Sequence, residues 1–138
     1  MDDVNTKKKE NAAIIRAILA ALGAAFLLKL FFFDFMIAHG DSMKPAIQSG
    51  DVLVINRLAY GFRPPLNRDY LFRWALPDRG NVIVFYTPLG DLAVKRCAEV
   101  LKDGRFVALG DNSLESYDSR SYGPVPLDNI LGRVIGIR

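Results

Sequence analysis

The hydrophobic positions divide the chain into one long apolar stretch near the N-terminus and several short apolar runs after it. Residues 12–38 are apolar except for Arg16, Lys29 and Asp34. A bilayer-spanning helix needs about 20 mostly apolar residues, and long cationic side chains near its ends can reach the interfaces. We therefore expect a polar tail at 1–11, a transmembrane anchor at 12–38 and an extramembrane domain at 39–138.

Basic residues before the span predict its orientation. Lys7, Lys8, Lys9 and Arg16 lie on the N-terminal side, and an excess of positive charge marks the cytoplasmic side of a membrane segment. A cleaved signal peptide is one alternative, although the region before the apolar stretch is long and Met36 would occupy the −3 position of a cut after Ala38. A buried helix of a soluble protein is the other.

The second part of the chain has the pattern of an all-β domain. Its apolar runs are short, rich in β-branched and aromatic residues, and separated by glycine, proline, asparagine and aspartate, as is typical of strands joined by tight turns. These runs are Val52–Ile55, Val82–Tyr86, Leu92–Ala98, Phe106–Leu109 and Ile130–Ile137. Residues 101–105 read as a hairpin turn.

One longer segment, residues 61–79, breaks this pattern. It contains Pro64, Pro65 and Pro77, together with four arginines and several aromatic residues including Trp74. Amphipathic rings and cations of this kind suit a loop at a membrane interface. An ordinary surface loop whose rings pack on the domain is the alternative, and the sequence leaves both open.

Composition excludes several classes of function. A net charge of +3 without a basic helix or finger spacing does not favour nucleic acid. A single cysteine, Cys97, cannot form an internal disulfide, and no Cys/His cluster predicts a metal site. We expect no cofactor and no metal. Because the chain has only one histidine, His39, the sequence does not favour a serine–histidine site, and a serine activated by lysine is the economical alternative for a hydrolase.

Three lysines follow the anchor, and only one lies inside an apolar strand. A lysine base must be neutral, and burial lowers its pKa far enough for that. Lys44 lies in a polar turn and Lys102 in a hairpin turn, whereas Lys95 interrupts the run 92–98. The alternatives are that Lys95 faces water from an edge strand and that Ser42, the candidate nucleophile, is only a turn residue. A site based on His39, three residues before Ser42, also stays open.

Five motifs in order resemble type I signal peptidase, a membrane-anchored serine–lysine peptidase family that removes secretory signal peptides. The last motif is long and specific, and the five together cover nearly the whole chain. The motifs are Gly40–Pro45, Gly50–Val54, Arg79–Phe85, Val94–Arg96 and Gly110–Gly123. The resemblance implies a compact antiparallel β-barrel-like or coiled-sheet catalytic domain after one N-terminal transmembrane helix.

The resemblance also implies roles for individual residues. Ser42 would be the nucleophile and Lys95 its general base. Ser116 would hydrogen-bond the lysine amine, and Asp118 and Arg120 would form a supporting ion pair.

The oxyanion site and the substrate pocket depart from the common family pattern. Many members carry a serine donor where this chain has Gly40, so backbone groups at Ser42 and Gly40, or water, would have to donate. The residues carried over by position as pocket walls are Met36, Ile37, Met43 and Val94. Ala38 stands where larger aliphatic residues often line the pocket.

The implied substrates are preproteins bearing signal peptides, and the implied partners are the lipid bilayer and the secretion translocon. The implied location is a bacterial cytoplasmic (inner) membrane, crossed once, with the N-terminus in the cytoplasm and the catalytic domain on the extracytoplasmic face. The oligomeric state stays unknown. Two alternatives remain: a specialised peptidase that matures a pilin or conjugation protein by the same chemistry, and an inactive membrane-tethered assembly factor.

Overall fold

A computed structural model of the chain describes residues 2–64, 67 and 69–138, and side chains for all of these except residues 2–8 and 30. Pro65 and Arg68 of the proline- and arginine-rich segment, and the side chains of Lys7 and Lys8, therefore lie outside the described part. The chain forms two compact units, Met1–Leu30 and Phe31–Arg138.

The N-terminal unit consists of helix α1, which spans Asp2–Phe32. Its segment Lys9–Lys29 has 21 residues and is long and apolar enough to cross a membrane, and none of that segment is buried within the protein. The interpretation as a buried core helix is therefore wrong. The helix is also longer than expected at its start, because it includes the polar residues from Asp2 onwards.

The helix ends six residues before the expected end of the anchor at residue 38, because the chain joins a sheet. Residues Phe33–Ile37 form strand β1, in which exposed Phe33, Phe35 and Ile37 alternate with half-buried Asp34 and Met36. That period of two is the repeat of a strand with one covered face. Hydrophobicity alone does not separate this strand from the helix before it.

The second unit is an antiparallel sheet, which confirms the predicted mainly β fold. After β1 come β2 Val52–Asn56, β3 Gly61–Phe62, β4 Phe72–Arg73, β5 Val82–Tyr86, β6 Leu92–Val100, β7 Arg105–Leu109, helix α2 Ser119–Tyr122, β8 Val125–Pro126, a 3₁₀ turn Leu127–Asn129 and β9 Ile130–Ile137. Seven strands pair in the order β1-β2-β9-β5-β6-β7-β8.

Irregularities in three strand pairs bend this sheet into a curled half-barrel. The register shifts between Val54 and Ile55 of β2, between Val84 and Phe85 of β5, and between Cys97 and Glu99 of β6. Each such bulge increases the local twist and bend of its strand.

The main core is a cluster of buried apolar side chains that packs against the sheet. Phe85 and Phe106 contact each other edge to face with ring centroids 5.2 Å apart. Both are fully buried, as is Cys97, which packs in this cluster as a small apolar residue.

Residues 61–79 are not wholly irregular, because they contain a short hairpin formed by β3 and β4. Gly61 pairs with Arg73, and no larger residue would fit at Gly61, since an added Cβ would lie 2.3 Å from the carbonyl oxygen of Phe72. The buried Arg63 guanidinium donates to the carbonyl oxygen of Ile130 at 3.0 Å and ties the hairpin to β9. Among the described residues of the segment, four apolar side chains are more than half exposed: Leu71, Phe72, Trp74 and Leu76.

Candidate functional site

The predicted nucleophile lies in the loop between β1 and β2. Backbone hydrogen bonds close the base of this loop, from Ala38 N to Asp51 O at 2.8 Å and from Gly50 N to Ala38 O at 2.9 Å. Within it, Lys44 N donates to Asp41 O at 3.2 Å, which forms a turn around Ser42. Met43 and Ile47 are buried beneath this turn, so apolar packing holds the serine in position.

The loop reaches the turn through a backbone conformation that favours glycine. Gly40 has a φ of +80°, in the left-handed region where other residues are strained. Gly40 offers no side-chain hydrogen-bond donor to an oxyanion, but glycine is the residue that this backbone conformation prefers.

Strand β6 carries the predicted base into contact with that serine. Lys95 Nζ donates to Ser42 Oγ at 2.6 Å. Lys95 is 6 % exposed, and its strand lies between β5 and β7 in the sheet. The interpretation of Lys95 as a water-facing lysine is therefore wrong, although Lys95 itself lies just before Arg96, where the pairing of β6 with β7 begins.

Burial gives Lys95 the electrostatic property that a base requires. Removal from water lowers the pKa of the lysine amine, while the charge of Asp118 raises it, and the net direction is down. The neutral amine is the form that can accept a proton. Lys44, by contrast, lies in a half-exposed ion pair with Asp41 at 2.9 Å.

The last motif carries a buried, hydrogen-bonded carboxylate whose charge acts on the lysine. The Asp118 side chain accepts hydrogen bonds from Gly110 N at 2.8 Å, Ser116 Oγ at 2.6 Å and Arg120 Nε at 2.9 Å. Burial raises the pKa of Asp118, but the hydrogen bonds from Arg120, Gly110 and Ser116 outweigh it and lower the pKa well below its usual range. The expected Asp118–Arg120 ion pair is present.

Ser116 makes a hydrogen bond that the resemblance did not imply. Its hydroxyl donates to Asp118 Oδ2, which helps to satisfy a buried carboxylate. The implied bond to the Lys95 amine would use the lone pairs of the same oxygen and stays a prediction. Ser116 still packs close to the nucleophile loop, because a Cβ added to Gly110 would lie 2.2 Å from Ser116 Oγ and 2.6 Å from Ser42 O.

A cavity of about 180 Å³ opens beside the serine and the lysine. All four predicted wall residues contribute to it, together with side chains that sequence reasoning missed. Its lining comprises Met36, Ile37, Ala38, His39, Gly40, Ser42, Met43, Ile47, Leu92, Ala93, Val94 and Lys95. Ile47 and Leu92 carry no local signal of this role, since only folding brings the loop after β1 and the start of β6 to one cavity.

A further set of missed residues connects the strand of the base to the loop of the nucleophile. Arg96 forms two hydrogen bonds with Asp111, from Nε at 2.8 Å and from a terminal nitrogen at 2.6 Å. The next residue, Asn112, donates from its backbone N–H to Ser42 O at 2.9 Å. Their presence in the Val94–Arg96 and Gly110–Gly123 motifs was the available signal.

His39 lines the cavity but is exposed, and the Ser42 hydroxyl bonds Lys95 instead. Within the described part of the chain, there is no cluster of three or more His, Cys, Asp or Glu residues that could hold a metal ion.

Comparison with known proteins agrees with the motifs. The family model described as "Signal peptidase, peptidase S26" matches residues 11–100 and 91–137. A signal peptidase I from Bacillus caldolyticus is 28% identical over 167 residues, which cover 94% of this chain and 92% of the relative. A probable signal peptidase I-1 from Synechocystis is 26% identical over 172 residues, covering 92% and 80%.

A signal peptidase I from Haemophilus influenzae is 35% identical over 80 residues, and there the match spans 57% of this chain and only 23% of the longer relative. The resemblance inferred from the five motifs is thereby confirmed.

Proposed function

This chain belongs to the signal peptidase family, peptidase S26, and we propose that it is a membrane-anchored serine endopeptidase that removes signal peptides from secreted preproteins. The observation that carries the proposal is the 2.6 Å contact between Ser42 Oγ and a buried Lys95 Nζ at the edge of a cavity. A serine hydroxyl next to a lysine amine with a lowered pKa is an activated nucleophile.

The chemistry follows from that pair. Neutral Lys95 accepts the proton of the Ser42 hydroxyl as the oxygen attacks the scissile carbonyl carbon. The resulting ammonium then gives the proton to the leaving amine, and an acyl-serine forms. Water, deprotonated by Lys95, hydrolyses the acyl-serine and releases the signal peptide.

The oxyanion that forms during attack needs preorganised donors, each worth roughly 3–4 kcal/mol of transition-state stabilisation. The Ser42 backbone N–H is the first of them. Gly40 contributes no side-chain donor, so the backbone N–H of this glycine, or water, supplies any second hydrogen bond.

The cavity walls suit small apolar substrate residues at alternate positions of an extended peptide, which point to the same face. Methionine, isoleucine and valine side chains at Met36, Ile37, Met43 and Val94 line it. Among the described strands β1 pairs only with β2, and β7 pairs with β6 only from Arg96 onwards, so the edges of β1 and of residues 92–95 are unpaired beside the cavity. A peptide can add as a strand there, with Ala-like residues at −1 and −3 entering the cavity.

The bilayer places the site where its substrates emerge. Helix α1 anchors the protein in the membrane; the location is a bacterial cytoplasmic membrane, with the N-terminus in the cytoplasm, the catalytic domain outside, and preproteins arriving from the secretion translocon. Phe31, two residues beyond the Lys9–Lys29 span, stacks on Phe62 of β3 with ring centroids 5.9 Å apart. We propose that the exposed side chains of this hairpin lie in the interface.

Trp74, the single tryptophan of the chain and 59 % exposed, reports on that placement. In proteoliposomes of the full chain, its fluorescence should be quenched by lipids brominated near the headgroups and be shielded from aqueous iodide. A Trp74→Phe, Lys102→Trp variant moves the probe to the charged β6–β7 turn and should show the reverse. Quenching of Trp74 by iodide and not by the brominated lipids would contradict the placement in the interface and would favour an ordinary surface loop.

The decisive experiment is cleavage of a preprotein with an Ala-x-Ala site by the full chain, in detergent and in lipid, compared with Ser42→Ala. Cleavage after the second alanine that depends on Ser42 is expected. A panel of preproteins separates a general peptidase from one restricted to a pilin or conjugation protein. Absence of cleavage and of labelling by a serine-directed covalent probe would overturn the proposal in favour of an inactive assembly factor.

A further inference from the structure

Asn112 holds the backbone of the nucleophile loop at two successive peptide groups. Its backbone N–H donates to Ser42 O at 2.9 Å. Its side-chain Nδ2 donates to Asp41 O at 3.2 Å. One residue from a distant loop therefore fixes the carbonyl groups of the two peptide units that flank the Ser42 Cα.

The orientation of the Asp41 carbonyl decides where the Ser42 N–H points. A trans peptide is planar, so its C=O and N–H groups point in opposite directions. Asp41 O faces Asn112 Nδ2 and Lys44 N, and the Ser42 N–H consequently points away from both. It donates to no other group in the part of the chain that the structure describes.

Asn112 is itself held firmly. The preceding Asp111 carboxylate receives two hydrogen bonds from Arg96, the neighbour of Lys95 on β6. Gly110 packs so tightly that an added Cβ would lie 2.6 Å from Ser42 O. The strand that carries the base thereby also anchors the loop that orients the nucleophile's backbone.

We propose that Asn112 is a positioning residue whose side-chain amide sets the direction of the Ser42 N–H as oxyanion donor. The need is greater in this chain because Gly40 lacks the side-chain donor found at that position in many relatives. The inference rests on the proposed peptidase function. It assigns Asn112 an effect on the transition state, where the oxyanion exists, and none on binding of the uncharged scissile carbonyl.

Steady-state cleavage of an Ala-x-Ala preprotein by the full chain tests this with Asn112→Ala and Asn112→Leu. Both remove the amide donor but keep the backbone hydrogen bond, and leucine nearly preserves the size of asparagine. The matched control is Asn129→Ala, because Asn129 Nδ2 makes the same kind of bond to a backbone carbonyl, that of Tyr86, at 2.8 Å. Thermal unfolding of all variants measures any general loss of stability.

The expected result is a fall in kcat of roughly tenfold to hundredfold, with KM little changed. Complete removal of an oxyanion donor costs about 10²–10³-fold in kcat, which sets the upper limit. The pH at half-maximal activity stays that of the wild type, because Lys95 is untouched. Asn129→Ala keeps the wild-type kcat.

Three outcomes would overturn the inference. An unchanged kcat in both variants would remove the role of the amide. A raised KM alone would make Asn112 a substrate contact, and a shifted pH midpoint would make it part of the Ser42–Lys95 pair. Wild-type protein that does not cleave would instead count against the proposed function, so the two failures are distinguishable.

Discussion

Lys95 and Asp118 are two ionisable side chains withdrawn from water in the same small domain, and their surroundings differ. Asp118 is 0 % exposed and is matched by a guanidinium, a backbone N–H and a hydroxyl. Lys95 is 6 % exposed, and its hydrogen-bond partner is the neutral hydroxyl of Ser42. Both pKa values are lowered, but a lowered pKa favours the charged form of an acid and the neutral form of a base.

The difference separates a carboxylate that stabilises the structure from an amine that can take part in the reaction. Asp118 stays charged because its hydrogen bonds exceed the cost of burial, and it then holds the last motif against the nucleophile loop. Among the described residues, no counterion makes a hydrogen bond with Lys95, so burial drives the amine towards the neutral form that a base needs. Asp118 also acts on Lys95, because its charge raises the pKa of the lysine. Arg120 offsets that charge.

The largest expected effect comes from removing the amine of Lys95. Lys95→Ala should lower kcat by at least about 10³-fold, since loss of one member of a nucleophile–base pair leaves only binding and oxyanion stabilisation. The fold should be retained, as measured by circular dichroism and thermal unfolding. Lys102→Ala, which changes a lysine in an exposed turn, is the control and should cleave normally. Turnover by Lys95→Ala close to that of the wild type would show that Lys95 is not the general base.

Breaking the compensated pair should reduce stability and move the pH profile. Arg120→Ala leaves a buried carboxylate without its counterion, so the free energy of unfolding, measured with denaturant, should fall. It also exposes Lys95 to the uncompensated charge of Asp118, so the Lys95 pKa rises and the activity midpoint shifts to higher pH. Asp118→Asn removes that charge and should shift the midpoint to lower pH. Shifts of the same sign in both variants would contradict the comparison.

A smaller effect should appear in the pH dependence of stability. Because the folded-state pKa of Lys95 is lowered, the folded protein resists protonation. Below that pKa the buried ammonium destabilises the fold, and the deficit disappears as pH rises towards about 10.4, the pKa of an unfolded lysine. The free energy of unfolding of Lys95→Met should exceed that of the wild type most at pH values below the folded-state pKa of Lys95, and least above about pH 10.4. A difference between the two that is independent of pH would show that burial does not act on this amine.

The smallest effect is expected at the one histidine. His39→Ala should keep kcat within about twofold of the wild type, because Lys95 and not His39 contacts the nucleophile, and general-base catalysis is worth about 10²–10⁴-fold. The measurement is cleavage rate from acid to alkaline pH. Loss of activity in that range of magnitude would reassign the base.

The sequence was sufficient for the parts of the molecule that depend on local pattern. Apolar length predicted the helix, alternation with turn residues predicted most strands, and one lysine inside an apolar run predicted a buried amine. The anchor boundary at residue 38 could not be read this way, since Phe33–Ile37 is as hydrophobic as the helix before it. The hairpin at Gly61–Arg73 was missed because its strands have two residues each.

What the sequence by itself determined was which residues can do chemistry: Ser42 in its turn, Lys95 in its strand and a resemblance covering the chain. Only the tertiary structure decided which of these residues contact each other. It brought Ser42 and Lys95, 53 positions apart, to 2.6 Å, gave the Ser116 hydroxyl to Asp118 and set Asn112 against the Ser42 backbone. The physical reason is that hydrogen-bond partners and cavity walls depend on sheet register and curvature, which arise from contacts between strands distant in the chain.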